Sequence, residues 1–287
     1  MVKKLLVFVG ILWVLPLVLT GLPQTVVTGG AAMAAEDEND ERKTRQVPAM
    51  RERTYKTLAE AQLMIDPESV PVEEGEERPE PKGTPRDAVD MLLKLLDRRG
   101  LNSYEKAQVW NTLAFAYYTL EDIPKTIDAY EQILQQGEIT YALELSTLRA
   151  LFQLYYAQEK YRKSLEFIDK WQELKGDPDP DVNFIKATAY YQLEEFRNAL
   201  NAALRVEEIA KAQDRTIKEN WWYLQVVLYN ELGDIDNVIR VLEKLVVKYP
   251  KKQYWMHLAS MYSEKGRDDK ALSAYYAAYT QGLFTRE

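Results

Sequence analysis

The sequence predicts an all-α protein, an α-solenoid of stacked helix-turn-helix units preceded by an export signal and an acidic, partly disordered segment. Three observations predict it. Apolar residues recur at helical spacing over nearly all of the chain beyond residue 50, with no strand signals. Tyrosines stand at 117, 155, 190, 229 and 262, and each is followed nine residues later by a residue without a bulky side chain. Glycines and prolines fall at intervals that cut the helical stretch into hairpins.

The N-terminus comes first. "MVKKLLVFVGILWVLPLVLTGL" carries two lysines and then an apolar run from Leu5 to Leu22, interrupted by Gly10 and Pro16. Ala32-Met33-Ala34 fits the small-x-small site read by signal peptidase, with acidic residues just beyond it, so residues 1–34 are predicted to be a signal peptide. The rival reading is an uncleaved anchor, since the apolar run is about long enough to span a bilayer. Either way the remainder is placed outside the cytoplasmic membrane, and the bacterial character of the signal makes the expected compartment the periplasm. Residues 35–48 are charged, polar and predicted to be flexible.

Residues 49–102 are expected to form a divergent helical pair. "MRERTYKTLAEAQLMI" has Tyr55, Leu58, Ala59 and Leu63 at helical spacing, and "RDAVDMLLKLLDRR" is a second helix ended by Gly100. Between them, Pro67 to Pro85 holds five prolines, two glycines and six glutamates, which predicts a solvated, disordered loop. Its other reading is an acidic docking segment.

From residue 103 to 287 the repeats follow, with units at about 107–140, 145–178, 180–213, 219–252 and 252–285. The residues nine after each tyrosine are Thr126, Ser164, Ala199, Val238 and Ala271, and four further on come Tyr130, Ile168, Ala203, Leu242 and Tyr275. The gaps between tyrosines are 38, 35, 39 and 33, while the nine-residue spacing is constant. Insertions therefore lie between units, where loops tolerate them. A tyrosine on the first helix, meeting a compact residue where the second crosses it, accounts for the pattern. Gly233 and Gly266 close two of the hairpins. Trp222 and Trp255, seven residues before their tyrosines, share a face with them. The "WW" pair is expected to give one buried and one partly exposed indole.

Trp255, Leu258, Ala259, Tyr262, Gly266, Ala271, Tyr275 and Ala278 stand at the spacing W-x2-L-A-x2-Y-x3-G-x4-A-x3-Y-x2-A. That resembles the tetratricopeptide repeat. The likeness extends to 219–252, which ends in Pro250, and to 107–140 with Trp110, Leu113, Ala114 and Tyr117. It weakens at 145–178, where Phe152 replaces a small residue, and at 180–213, where Asn183 and Lys186 replace large apolar ones. "LNSYEKAQVWNTLAFAYY", "ENWWYLQVVLYNELGD", "YPKKQYWMHLASMYSEKG" and "AAYTQGLFTRE" are further similar to periplasmic tetratricopeptide proteins that accompany TonB–ExbB–ExbD energy-transduction systems. That resemblance implies a role in TonB-dependent outer-membrane transport, with components of such a complex as partners.

Stacked helix pairs present a face lined by first helices. A stripe beside each tyrosine gives the candidate partner-binding groove: Asn111, Phe115 and Tyr118, then Arg149, Gln153 and Tyr156, then Phe184 and Tyr191, then Tyr223 and Asn230, then Met256. Aromatics beside amides suit an extended or helical peptide. The competing reading packs these rings against neighbouring helices. The stripe lacks the lysine and asparagine pattern of the carboxylate clamp known in chaperone-binding members of the family, so recognition of a C-terminal carboxylate is not expected.

Composition narrows the chemistry. With no cysteine there is no thiolate nucleophile and no cysteine-ligated metal, and with His257 alone no multi-histidine metal site. His257 reads as a surface or groove-edge histidine, or as a pH-sensitive contact. Glu73-Glu74, Glu194-Glu195 and Asp268-Asp269 are neighbours in sequence, and neighbours on a helix do not converge on one point. No phosphate loop or dinucleotide fingerprint occurs. The net charge is −8, and the first 34 residues hold Lys3 and Lys4 and no acid, so the rest is more negative still. That argues against nucleic acid as a partner, and membrane contact is expected only through an uncleaved N-terminus. The expectation is a non-enzymatic periplasmic scaffold or adaptor without cofactor or metal. The alternatives are a structural assembly factor for outer-membrane or cell-wall machinery and, least supported, a hydrolase using carboxylates alone.

Overall fold

In the computed structural model the described residues are 45–69 and 80–283. The predicted signal peptide, residues 35–44 of the segment predicted to be flexible, most of the predicted 67–85 loop with Glu73-Glu74, and residues 284–287 lie outside them. The described residues form twelve α-helices and one short 3-10 turn, with no strand among them. They divide into two compact units, with the division along the chain between Leu174 and Lys175.

The first unit contains α1 (Glu52–Ile65), α2 (Pro85–Leu96), α3 (Ser103–Thr119), α4 (Ile123–Leu134), α5 (Tyr141–Ala157) and α6 (Tyr161–Lys175). Its helix starts are dictated locally. Thr84 and Asp87 form a reciprocal capping box at α2, and Asn102 and Glu105 form another at α3, while the Asp122 and Thr140 side chains cap α4 and α5. At the two ends of the predicted loop, Pro67–Ser69 makes a 3-10 turn and Thr84 belongs to the α2 cap. Leu58, Leu92, Leu113, Ile133, Leu151, Phe152 and Ile168 are fully buried. Phe152, the bulky exception in its repeat, is accommodated because Trp171 meets it edge-on at 6.2 Å and the small Ser164 lies opposite, its hydroxyl donating to the Phe152 carbonyl at 2.8 Å.

The second unit contains α7 (Pro180–Gln192), α8 (Phe196–Ala212), α9 (Glu219–Glu231), α10 (Ile235–Lys248), α11 (Lys252–Glu264) and α12 (Asp268–Thr280). One apolar core runs through it, with Trp221, Leu228, Leu242 and Leu245 shielded from solvent. The compact crossing residues are shielded as well: Ala199 and Val238 are fully buried and Ala271 nearly so.

Each first helix of the five repeats ends in the same way. The residue four beyond the repeat tyrosine has positive φ: Glu121, Glu159, Glu194, Gly233 and Gly266, at 58°, 56°, 61°, 73° and 66°. The next backbone N–H, that of Asp122, Lys160, Glu195, Asp234 or Arg267, returns to the tyrosine carbonyl at 2.8–2.9 Å. This is a left-handed C-cap that satisfies an otherwise orphan carbonyl.

Candidate functional site

The candidate surfaces are the first-helix faces, taken unit by unit. In the first unit Phe115 and Tyr118 on α3 are half-buried, as is Gln153 on α5, and Arg149 is exposed. Arg149 lays its guanidinium over the Trp171 ring, 5.8 Å from the centroid. Asn111 and Tyr156 are buried, contrary to their expected place in an open groove. Tyr156 packs edge-on against Tyr161 of α6 at 5.3 Å, so its ring serves the hairpin.

The same unit carries a feature that the pattern of repeats did not signal. Residues 45–51 run ahead of α1 without helix and touch the N-terminal ends of two first helices. Arg45 pairs with Glu144 on α5, and the Asn102 amide donates to the Ala49 carbonyl at 3.0 Å. Arg51 donates to both Glu105 carboxylate oxygens, its Nη2 reaching Oε2 at 2.6 Å, and the Thr54 hydroxyl donates to Oε1 at 2.7 Å. Burial pushes the Glu105 carboxyl up. The Arg51 guanidinium, the Thr54 hydroxyl and the backbone N–H groups of Arg51 and Asn102 outweigh it and hold the pKa at about 2. Long-range ion pairs of this kind have no periodicity, so only a capping-box reading of Asn102 and Glu105 could have hinted at it.

In the second unit three tyrosines follow one another across α7, α9 and α11. Half-buried Tyr191 contacts Phe196 at 5.8 Å and neighbours Tyr223, and Tyr223 lies 5.9 Å from Tyr254. Burial pushes the Tyr191 phenol up, and Glu231, Tyr223 and Glu194 push it further. The end of the run is fixed: Tyr254 is buried and donates to Glu219 at 2.5 Å, and Lys251 pairs with the same carboxylate at 2.8 Å. Around this run Asn230 is exposed and Met256 is 43% exposed. Phe184 is buried within the core, a third correction to the expected groove. His257 is half-buried, and burial lowers its pKa.

Both indoles of the "WW" pair are buried, not one. Trp222 stays inside because its N–H finds an acceptor: Nε1 donates to Glu207 at 3.1 Å. Gln225, Lys211 and Lys244 complete the ring of donors around that carboxylate. Burial raises the Glu207 carboxyl, but Lys211, Lys244 and Gln225 bring it down to about 2. The cluster ties α8, α9 and α10 together.

What remains accessible is therefore a set of phenols, a phenyl ring, two amides, a thioether and, in the first unit, a guanidinium stacked on an indole. Such side chains give contact area and hydrogen bonds to a polypeptide. Among the described residues no group of three or more histidine or acidic side chains could hold a metal ion, and no helix is long and apolar enough to cross a membrane.

Comparison with known proteins agrees with the helix pairing. Residues 223–282 match the tetratricopeptide repeat family model. The apo form of RapI superposes with a TM-score of 0.54 at 14% identity, over 78% of this chain and 64% of that one. A crystal structure of MamA gives 0.48 at 17% identity, over 64% of this chain and 98% of that one. YrrB, described as a TPR protein with an unusual peptide-binding site, gives 0.46 at 13%, over 65% and 89%. No curated protein matches the chain. The fold is that of a tetratricopeptide-repeat protein.

Proposed function

We propose that the protein is a non-enzymatic scaffold of the bacterial cell envelope, exported to the periplasm and binding protein partners through its first-helix faces, in support of TonB-dependent outer-membrane transport. The observation that carries the binding role is the tyrosine run of α7, α9 and α11. Tyr191 and Tyr223 are held in place by ring contacts and half open to solvent, and Asn230 and Met256 of the predicted stripe are exposed on α9 and α11. Pre-ordered aromatics bind an extended or helical peptide at small entropic cost. The export signal at residues 1–34 supports the compartment. The link to TonB–ExbB–ExbD rests on the sequence resemblance, three of whose four stretches form α3, α9 and α11 while the fourth begins in α12.

The test is site-specific photo-crosslinking in cells from Tyr118 and from Met256, with the adducts identified by mass spectrometry. Adducts containing an envelope energy-transduction component, lost from the Tyr191→Ser/Tyr223→Ser double variant, are expected. Unchanged adducts in that variant remove the tyrosine run from the function. Fractionation that finds the protein in the cytoplasm with residues 1–34 still attached overturns the compartment.

A further inference from the structure

The last helix exposes an apolar stripe that the repeat architecture elsewhere conceals. In α12, Leu272 is 71% exposed, Tyr275 42%, Tyr276 68% and Tyr279 67%. Their spacing sets them on one face, while Ala271, Ala274 and Ala278 are the buried residues of the helix. One repeat earlier, 33 residues back, the corresponding side chains are covered: Ile239, Leu242 and Val246 are at most 4% exposed. There the fourth position is Glu243, which accepts a hydrogen bond from the Tyr262 hydroxyl of α11 at 2.6 Å. So α12 presents a stacking face of the kind that α10 buries beneath α11, with Tyr276 standing where α10 has a glutamate.

We propose that this face is a self-association surface, closed by α12 of a second copy packed antiparallel about a two-fold axis. Charge favours that occupant. The chain carries −8, so two copies repel in general, but Ala271 to Leu283 contains no charged residue. The acids nearest the stripe are Asp268 and Asp269 in the first turn. Parallel pairing would set these acids side by side. Antiparallel pairing centred between Tyr275 and Tyr276 separates them by about 20 Å at a rise of ~1.5 Å per residue, beyond the ~8 Å reach of unscreened charge at physiological salt. The stripe is also its own complement when reversed: Leu272 of one copy meets Tyr279 of the other, and the two central tyrosines meet their counterparts. A head-to-tail contact is poorer, because the exposed side of α1 offers Glu52, Arg53, Lys56 and Glu60 around Tyr55.

The size of the patch sets the strength. Three partly exposed tyrosines and a leucine supply on the order of 500 Å² per copy, since a whole aromatic side chain supplies ~150–250 Å². That is below the ~800 Å² per partner of a standard stable interface, so a reversible dimer with a micromolar dissociation constant is expected.

The absence of native cysteine makes the test clean. Tyr276→Cys should form a disulfide-linked dimer of the purified protein under mild oxidation, whereas Val247→Cys, on α10 and 83% exposed, should not. Sedimentation across micromolar concentrations should show a monomer–dimer equilibrium. Leu272→Glu/Tyr276→Glu should weaken it at least tenfold without moving the melting temperature, because both side chains are solvent-facing. A protein that stays monomeric at 100-fold above micromolar concentration overturns the proposal. So does growth beyond a dimer, a dimer indifferent to the two glutamates, or equal cross-linking from residues 276 and 247.

Discussion

A glutamate held in left-handed conformation is the clearest single-residue anomaly in the chain. Gly233 and Gly266 occupy the C-cap position without steric cost, and a Cβ added to either would meet nothing within 4 Å. Glu121, Glu159 and Glu194 adopt the same backbone with a Cβ that disfavours it. Glu159→Gly should therefore stabilise the protein by about 0.5–1 kcal/mol, the relief of strain exceeding the added freedom of the unfolded chain. Urea titration measures this, and a destabilised Glu159→Gly variant would show that the glutamate side chain makes a compensating contact. The glycine spacing was visible in sequence only where glycine stood. The three glutamates filling the same place are legible only from φ, because the cap is a property of the backbone and the Tyr-to-C″ hydrogen bond. The candidate groove was legible to a similar degree. Its stripe is correctly placed on first helices, but Asn111, Tyr156 and Phe184 are buried. What decides their exposure is the neighbour they meet, such as Tyr161 for Tyr156, and that neighbour is not written into the stripe.

At the scale of the helix pair, the constant nine-residue offset is a packing rule with a testable cost. Thr126, Ser164, Ala199 and Val238 are all fully buried where second helices cross first ones. A longer side chain there must push the axes apart or leave its rotamer. Ala199→Leu should cost about 1–3 kcal/mol by overpacking, seen as a lower melting temperature. An Ala199→Leu protein as stable as the parent would mean that the crossing has room and that the offset reflects something other than close approach. The same reasoning explains which part of the fold sequence could give. Tyrosine, small residue and apolar residue recur because each is demanded by a contact within the pair. Elements joined by unique polar contacts escaped notice: the 45–51 segment is fastened by Arg51–Glu105 and Asn102–Ala49, pairs 54 and 53 residues apart that occur once.

Over the described residues, the carboxylates with displaced pKa values all move one way, whether they cap a helix or join two. Besides Glu105 and Glu207, the carboxyls of Asp87, Asp122, Asp181, Glu219 and Asp236 are held below their ordinary values, each by hydrogen bonds or cationic partners that favour the charged form. The tyrosines that donate to carboxylates shift the other way: burial, then the accepting Glu243, pushes the Tyr262 phenol up to about 12, and Tyr155 and Tyr254 are likewise raised by burial, then by Glu131 and Glu219. A lowered carboxyl stabilises the folded state at any pH above its unfolded value, and that stability drains away as pH falls toward the folded value. A raised phenol stabilises below its unfolded value and is lost as pH climbs past it. The stability curve should thus be flat between about pH 7 and pH 9, slope down below ~6.5 as unfolding lets the buried His257 take up a proton, then fall steeply from ~4.5 toward 2 and again above ~10. Glu207 is the sharpest probe, because it is buried, accepts from Trp222 and Gln225, and neutralises Lys211 and Lys244. Glu207→Gln keeps the shape but removes the charge, and should cost on the order of 3 kcal/mol at pH 7, a penalty that shrinks as pH falls from ~4.5 toward about 2, where the parent carboxyl itself begins to hold a proton. Urea unfolding at pH 7, 4.5 and 3 separates the cases: a penalty that stays constant with pH would assign the loss to packing and remove the ion cluster from the account of how α8, α9 and α10 hold together.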